Sequence, residues 1–142
     1  MATPSSSSAL APQSGDVIEF SFLWKHERDA GLLEGVKDRR CVIVAVLAEG
    51  RHVVVVPITG TEPDHDEKIP LPGGVLGLER PSWIVVSELN VTVWPGHDLR
   101  PARIPSGAWW RYGRLSDALR RRLADEMQAL VQAGLANVVT RT

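Results

Sequence analysis

Two side chains suited to holding an anion stand at the ends of two apolar runs. Arg39 precedes Cys41-Val42-Ile43-Val44, and Thr59 closes Val53-Val54-Val55-Val56-Pro57-Ile58-Thr59. A guanidinium stays charged and its planar fork matches a phosphodiester, to which a hydroxyl adds a further hydrogen bond. Runs so dense in β-branched residues mark strands buried on both faces or closed into a small barrel. The turn-like Ala48-Glu49-Gly50 between them predicts a hairpin, which sets the start of one strand beside the end of the other. Arg39 and Thr59 are therefore expected at one end of one sheet.

The rest of the chain must position that pair. With 142 residues it can hold one domain with a real core, and 44% hydrophobic with 23% charged residues is ordinary soluble globular composition. No apolar stretch approaches the length that spans a bilayer, and Met1 to Ser8 lacks the basic flank and apolar core of a secretory signal. One cysteine excludes an internal disulfide and a multi-cysteine zinc site, and suits a reducing cytoplasm. A formal net charge of -1 is not that of a protein that coats nucleic acid, so a polyanion needs a local basic patch. Nothing in the sequence asks for a cofactor or a metal.

Residues 1–14 are Ser-, Ala- and Pro-rich and are expected as a disordered arm, leaving 15–142 as one domain. A first strand is expected over Val17 to Leu23, then a long irregular loop from Trp24 to Asp38. After the hairpin come an acidic connection, a proline-bearing edge strand from Lys68 to Pro72, and strands from Trp83 to Val86 and Val91 to Trp94. One helix is convincing: Ser116 caps it, Leu119, Leu123, Met127 and Leu130 recur at helical spacing, and Gly134 ends it. Short strands followed by one helix predict a mainly β fold, a small bent antiparallel barrel with a helix packed on it.

Other conspicuous residues have plainer readings. Trp83, Trp94, Trp109 and Trp110 are expected as barrel core or dimer contacts. His52, His65 and His97 show no metal spacing, and Asp64-His65-Asp66-Glu67 reads as a solvated acidic turn. Arg121 and Arg122 stand four residues before Asp125 and Glu126, so pairing along the helix is expected. Cys41 reads as a small core residue.

Gly15-Asp16-Val17-Ile18, Lys37-Asp38-Arg39 before Cys41-Val42-Ile43-Val44, Val56-Pro57-Ile58-Thr59, Pro81-Ser82-Trp83-Ile84-Val85 and Gly113-Arg114-Leu115-Ser116 follow one another in an order that resembles the PemK/MazF family. These are toxins of bacterial type II toxin–antitoxin systems. The resemblance implies an SH3-like barrel with a terminal helix, a homodimer, and cleavage of single-stranded RNA without a metal. It also implies a cognate antitoxin that blocks the groove, with DNA met only through an antitoxin complex. The family's catalytic pair falls on Arg39 and Thr59, and Glu88 falls where many members have an amide beside an acid. Many members have proline where this chain has Arg40, which leaves Arg40 as the alternative guanidinium if the strand register slips.

The chemistry so implied uses the substrate's 2′-hydroxyl as nucleophile. Arg39 would stabilise the charged transition state and Thr59 would orient the phosphate. His26 and Glu88 are the candidates for proton transfer. Trp24 could stack a base or anchor the loop, and Arg28, Lys37 and Arg40 could contact phosphates. The rival reading is a non-catalytic SH3-like binding module that takes a protein such as gyrase, or DNA, in its groove.

Overall fold

The computed structural model describes residues 11–65 and 67–141. The two valine-rich runs form the predicted hairpin, β2 (Arg39–Leu47) against β3 (His52–Thr59). Cys41 faces Pro57, Val42 faces Val56 and Ile43 faces Val55, until a bulge shifts the register so that Ala45 faces Val54. The chain reverses through Ala48, Glu49 and Gly50, whose φ angles of 52°, 57° and 89° all lie in the left-handed region.

Away from its turn end, where Val46 and Leu47 are exposed, both faces of this hairpin are covered, which is why it alternates so little between apolar and polar residues. Val42, Val44, Val56 and Ile58 pack on one side with Ile69, Ile84, Tyr112 and Leu123. Cys41, Ile43, Val53 and Val55 pack on the other with Phe20, Phe22, Trp94 and Trp110. Nine strands are seen among the described residues. Besides the hairpin they are β1 (Asp16–Phe20), β4 (Lys68–Leu71), β5 (Ser82–Val85), β6 (Glu88–Val93), β7 (Leu99–Arg100), β8 (Arg111–Arg114) and β9 (Asn137–Thr140). The main path runs β4-β5-β3-β2-β1-β7, with β6 also on β3, β8 also on β1, and β9 parallel to β6. β3 changes partner along its length: His52 to Val55 pair with β6, whereas Ile58 and Thr59 pair with Ile84 and Trp83 of β5. The result is a mainly β, strongly bent antiparallel sheet that does not close on itself, and Thr59 sits at its corner.

The helix lies where its periodicity placed it, as α2 (Asp117–Gln132); the short α1 (Lys25–Asp29) precedes it in the chain. Ser116 Oγ accepts from the Leu119 amide at 3.3 Å, Gly134 has φ 71°, and Leu123 is buried while Leu119, Met127 and Leu130 pack on the first core. Arg122 meets Glu126 at 2.7 Å, but Arg121 and Asp125 form no ion pair among the described residues. No helix is long and apolar enough to cross a membrane among those residues.

Several local expectations are corrected. The first strand ends at Phe20, and the loop after it carries the one-turn α1, whose Glu27 accepts from the Trp24 amide at 3.0 Å. β7, β8 and β9 were not expected. Of the N-terminal arm, residues 1–10 lie outside the described residues, but Ser14 Oγ donates to Val44 O at 3.1 Å, so the chain joins the sheet before Gly15. Trp94 and Trp110 meet edge to face at 4.8 Å in the core, whereas Trp109 is 49% exposed.

Candidate functional site

Strand alternation sends consecutive arginines to opposite faces of β2. Arg39 shares the face of Cys41 and Ile43, and its guanidinium lies over the Trp24 ring, 5.1 Å from the centroid. Arg40 shares the face of Val42, and its guanidinium lies over Tyr112 at 4.6 Å. Both line one cleft of about 450 Å³, together with Lys37, Arg80 and Arg103. Two carboxylates line it as well, Asp38 and Glu79. Asp38 is already opposite Arg100 at 3.4 Å, and Arg103 opposite Glu19 at 3.6 Å. Lys37, Arg39, Arg40 and Arg80 form no ion pair among the described residues, and Nε of both Arg39 and Arg40 is buried there without a hydrogen-bond partner. In a chain of net charge -1, this is a local excess of positive charge with donors left to satisfy.

Thr59 lines the neighbouring hollow of about 440 Å³, with Trp24, Thr61 and His65 among its walls. Its Oγ1 accepts from the Thr61 amide at 3.3 Å, which leaves the hydroxyl proton free to be donated elsewhere. The next residue, Gly60, lines the cationic cleft. The chain step from Thr59 to Gly60 thus runs from one cavity to the other. Trp24, in the hollow but stacked under Arg39, is the second link between them.

The remaining candidates divide. Lys37 and Arg40 line the cleft with Arg39. His26 is exposed and stacks on Trp24, with centroids 6.2 Å apart and planes 27° from parallel, so it reaches this region only through that ring. Glu88 is elsewhere and engaged: Oε1 accepts from the Lys25 amide at 3.3 Å and Oε2 from Asn137 Nδ2 at 2.6 Å. Arg28 donates to Thr140 O at 3.1 Å and lines a separate hollow of about 290 Å³ beside Arg141. His97, expected alone, has a ligand atom within 4.8 Å of Glu34 and Asp98, but Arg141 Nη2 already holds Asp98 Oδ2 at 3.1 Å.

The sequence reading missed Arg80 and Arg103, and it missed what lies behind them. Buried Glu19 Oε1 accepts the Tyr112 hydroxyl at 2.7 Å, and the Arg103 amide donates to that hydroxyl at 3.2 Å. Burial raises the Tyr112 hydroxyl above its ordinary value, and the Glu19 carboxylate pushes the same way. The Cys41 thiol is raised well above its ordinary value by burial despite nearby Arg39, which keeps it protonated as a core group.

No protein-family model matches this sequence, and no curated protein matches it. Among solved structures, 21 chains match. One is an endoribonuclease in complex with its cognate antitoxin from a mycobacterial species, 13% identical, with a TM-score of 0.58 over 86% of this chain and 96% of that one. At that identity the likeness is one of fold, and it reaches nearly the whole length of both chains.

Proposed function

We propose that this chain is a PemK/MazF-like toxin, an endoribonuclease that cuts single-stranded RNA and is silenced by a cognate antitoxin. The observation that carries the reading is the unneutralised cationic cleft around Arg39, joined to Thr59 through Gly60 and Trp24. Support also comes from the fold, which an endoribonuclease solved with its antitoxin shares.

A single strand can splay its backbone into such a cleft, where a duplex cannot. The 2′-oxygen attacks the adjacent phosphorus and the bond from phosphorus to the 5′-oxygen breaks, leaving a 2′,3′-cyclic phosphate and a 5′-hydroxyl. One proton leaves the 2′-hydroxyl and one reaches the departing 5′-oxygen. Arg39 neutralises the charge that builds on the phosphoryl oxygens, and Thr59 donates a hydrogen bond that fixes them. Of the two proton-transfer candidates, His26 is the better placed, because both oxygens of Glu88 are occupied. No metal is needed for this route. The antitoxin covers the same cleft with an acidic segment, and the toxin works as a homodimer in the cytoplasm.

The test is purified protein with mixed-sequence single-stranded RNA in chelator, beside Arg39→Ala. Cleavage is expected to fall about 100- to 1,000-fold in the variant, and to stop on a strand with a 2′-deoxy sugar at the scissile position. RNA left intact by the wild-type protein but bound tightly would instead identify a non-catalytic binding module.

A further inference from the structure

Arg80 is an exposed residue of this cleft whose backbone the fold fixes and whose guanidinium it leaves without an ion pair among the described residues. Its backbone is pinned inside the β4–β5 connection. Gly74 N donates to Leu78 O at 2.7 Å, Leu78 N to Val75 O at 2.8 Å, and Ser82 Oγ to Arg80 O at 3.1 Å. A Cβ on Gly73 would come within 2.8 Å of the Arg80 Cα and carbonyl carbon, so that position takes only glycine without moving the loop. At the other end of the side chain, the guanidinium rests on Gly60. A Cβ there would meet Nη2 at 2.7 Å and Nε at 2.8 Å. Gly73 and Gly60 thus both leave room for this arginine, one beside its backbone and one beside its head.

No carboxylate pairs with that head among the described residues, although Glu79 is its neighbour in the chain. A guanidinium that lies beside other cations meets charge repulsion that an incoming anion would relieve. Its seat, on the residue next to Thr59 and across from β2, sets the direction in which that anion extends. On the reading proposed above, we infer that Arg80 is a substrate-binding residue that grips the phosphate next to the one held by Arg39 and Thr59, so that the cleft takes two successive phosphates of a single strand. Arg80 then acts on binding, and Arg39 on the reacting phosphoryl group.

The test measures binding of an all-deoxy single strand, which cannot react through a 2′-hydroxyl, by fluorescence anisotropy over a range of salt. Arg80→Ala removes the guanidinium, and Gly60→Ala displaces it while keeping the charge; in the latter only the flexible side-chain end must shift. Both are expected to weaken binding about tenfold at low salt, and Arg80→Ala to reduce the slope of log affinity against log salt by about 0.7. On cleavable RNA the loss is expected in KM rather than kcat. Unchanged slope and affinity in both variants, with binding reduced by Arg39→Ala, would overturn the role of Arg80 and leave the nuclease reading standing. Arg80-dependent binding by a protein that cuts no RNA would do the reverse. A strand that stays unbound by the wild-type protein would remove both.

Discussion

The Arg39 guanidinium lies over the ring of Trp24, 5.1 Å from its centroid, and this contact aims a charge that has no carboxylate partner among the described residues. Phe22 meets the same indole edge-on at 5.5 Å and His26 stacks on it at 6.2 Å. The ring is thus fixed by an aromatic neighbour and serves as a platform for the cation. A cation–π contact contributes about 0.5–2 kcal/mol depending on its exposure. Trp24→Ala is expected to lower single-strand affinity by about 2- to 30-fold, that energy expressed as a ratio, while Trp24→Phe keeps most of it. The check is a pair of binding isotherms with thermal melts of the same samples. Equal affinity in Trp24→Ala and wild type would show that Arg39 needs no platform.

Glu88 separates a structural from a catalytic carboxylate. Its two oxygens tie the start of α1, through the Lys25 amide, to the start of β9, through Asn137. Losing both hydrogen bonds to a charged, partly exposed acceptor is expected to cost about 1–3 kcal/mol. Glu88→Ala should therefore lower the melting temperature while leaving the pH dependence of RNA cleavage where it was. Loss of one limb of the pH profile in that variant would restore Glu88 as a proton-transfer group.

The hairpin and α2 were legible because each is written locally. β2 and β3 are apolar on both faces, and α2 carries its own cap, stripe and stop. β1 was legible only in part: Glu19 and Ser21 alternate with Ile18, Phe20 and Phe22, which implies a solvent face, yet both polar residues are buried. β1 is covered on both sides, and its acids are satisfied by partners far along the chain, Asp16 by Arg114 at 2.7 Å and Glu19 by Tyr112. β9 offers only Val138-Val139 as an apolar signal, and its parallel pairing with β6 depends on a helix in between. The same reason hid Arg80. Its meaning comes from Gly60, twenty positions away, and no spacing rule joins an arginine in one loop to a glycine in another.

The Tyr112–Glu19 hydrogen bond should make stability fall in alkali. Up to about pH 10 the hydroxyl keeps its proton in both the folded and the unfolded chain, so the bond contributes in full. Above that the unfolded chain releases its proton first, because burial and Glu19 hold the folded hydroxyl above its ordinary value. Stability is then lost as pH rises toward that folded value. Tyr112→Phe keeps the ring under Arg40 but leaves a buried carboxylate oxygen without its donor, at a cost of about 1–3 kcal/mol near neutrality. Urea melts at pH 7 and pH 11 are the measurement. The gap between wild type and Tyr112→Phe should narrow at the higher pH, and a gap that widens would mean the hydroxyl is not what protects Glu19.

Arg141 is the most heavily engaged cation among the described residues, and it lines the hollow beside Arg28 rather than the cationic cleft. Nη1 donates to Ser21 O at 2.8 Å and to Asn90 Oδ1 at 3.0 Å, and Nη2 meets Asp98 Oδ2 at 3.1 Å. Asn90 in turn bonds both the amide and the carbonyl of Leu23, at 2.9 and 2.7 Å. One guanidinium thus gathers the end of β1, the start of the Trp24 loop and the segment after β9. Both members of the ion pair are almost fully buried, so removing one strands the other's charge, which costs about 3–5 kcal/mol. Arg141→Ala is expected to fall in that range. Arg141→Met with Asp98→Asn, which removes both charges and fills the space, should recover a large part of it, because the pair's desolvation is recovered along with its loss. The check is a double-mutant cycle by chemical denaturation. If the double variant is no more stable than Arg141→Ala, the clasp is held by the hydrogen bonds to Ser21 and Asn90 rather than by the ion pair.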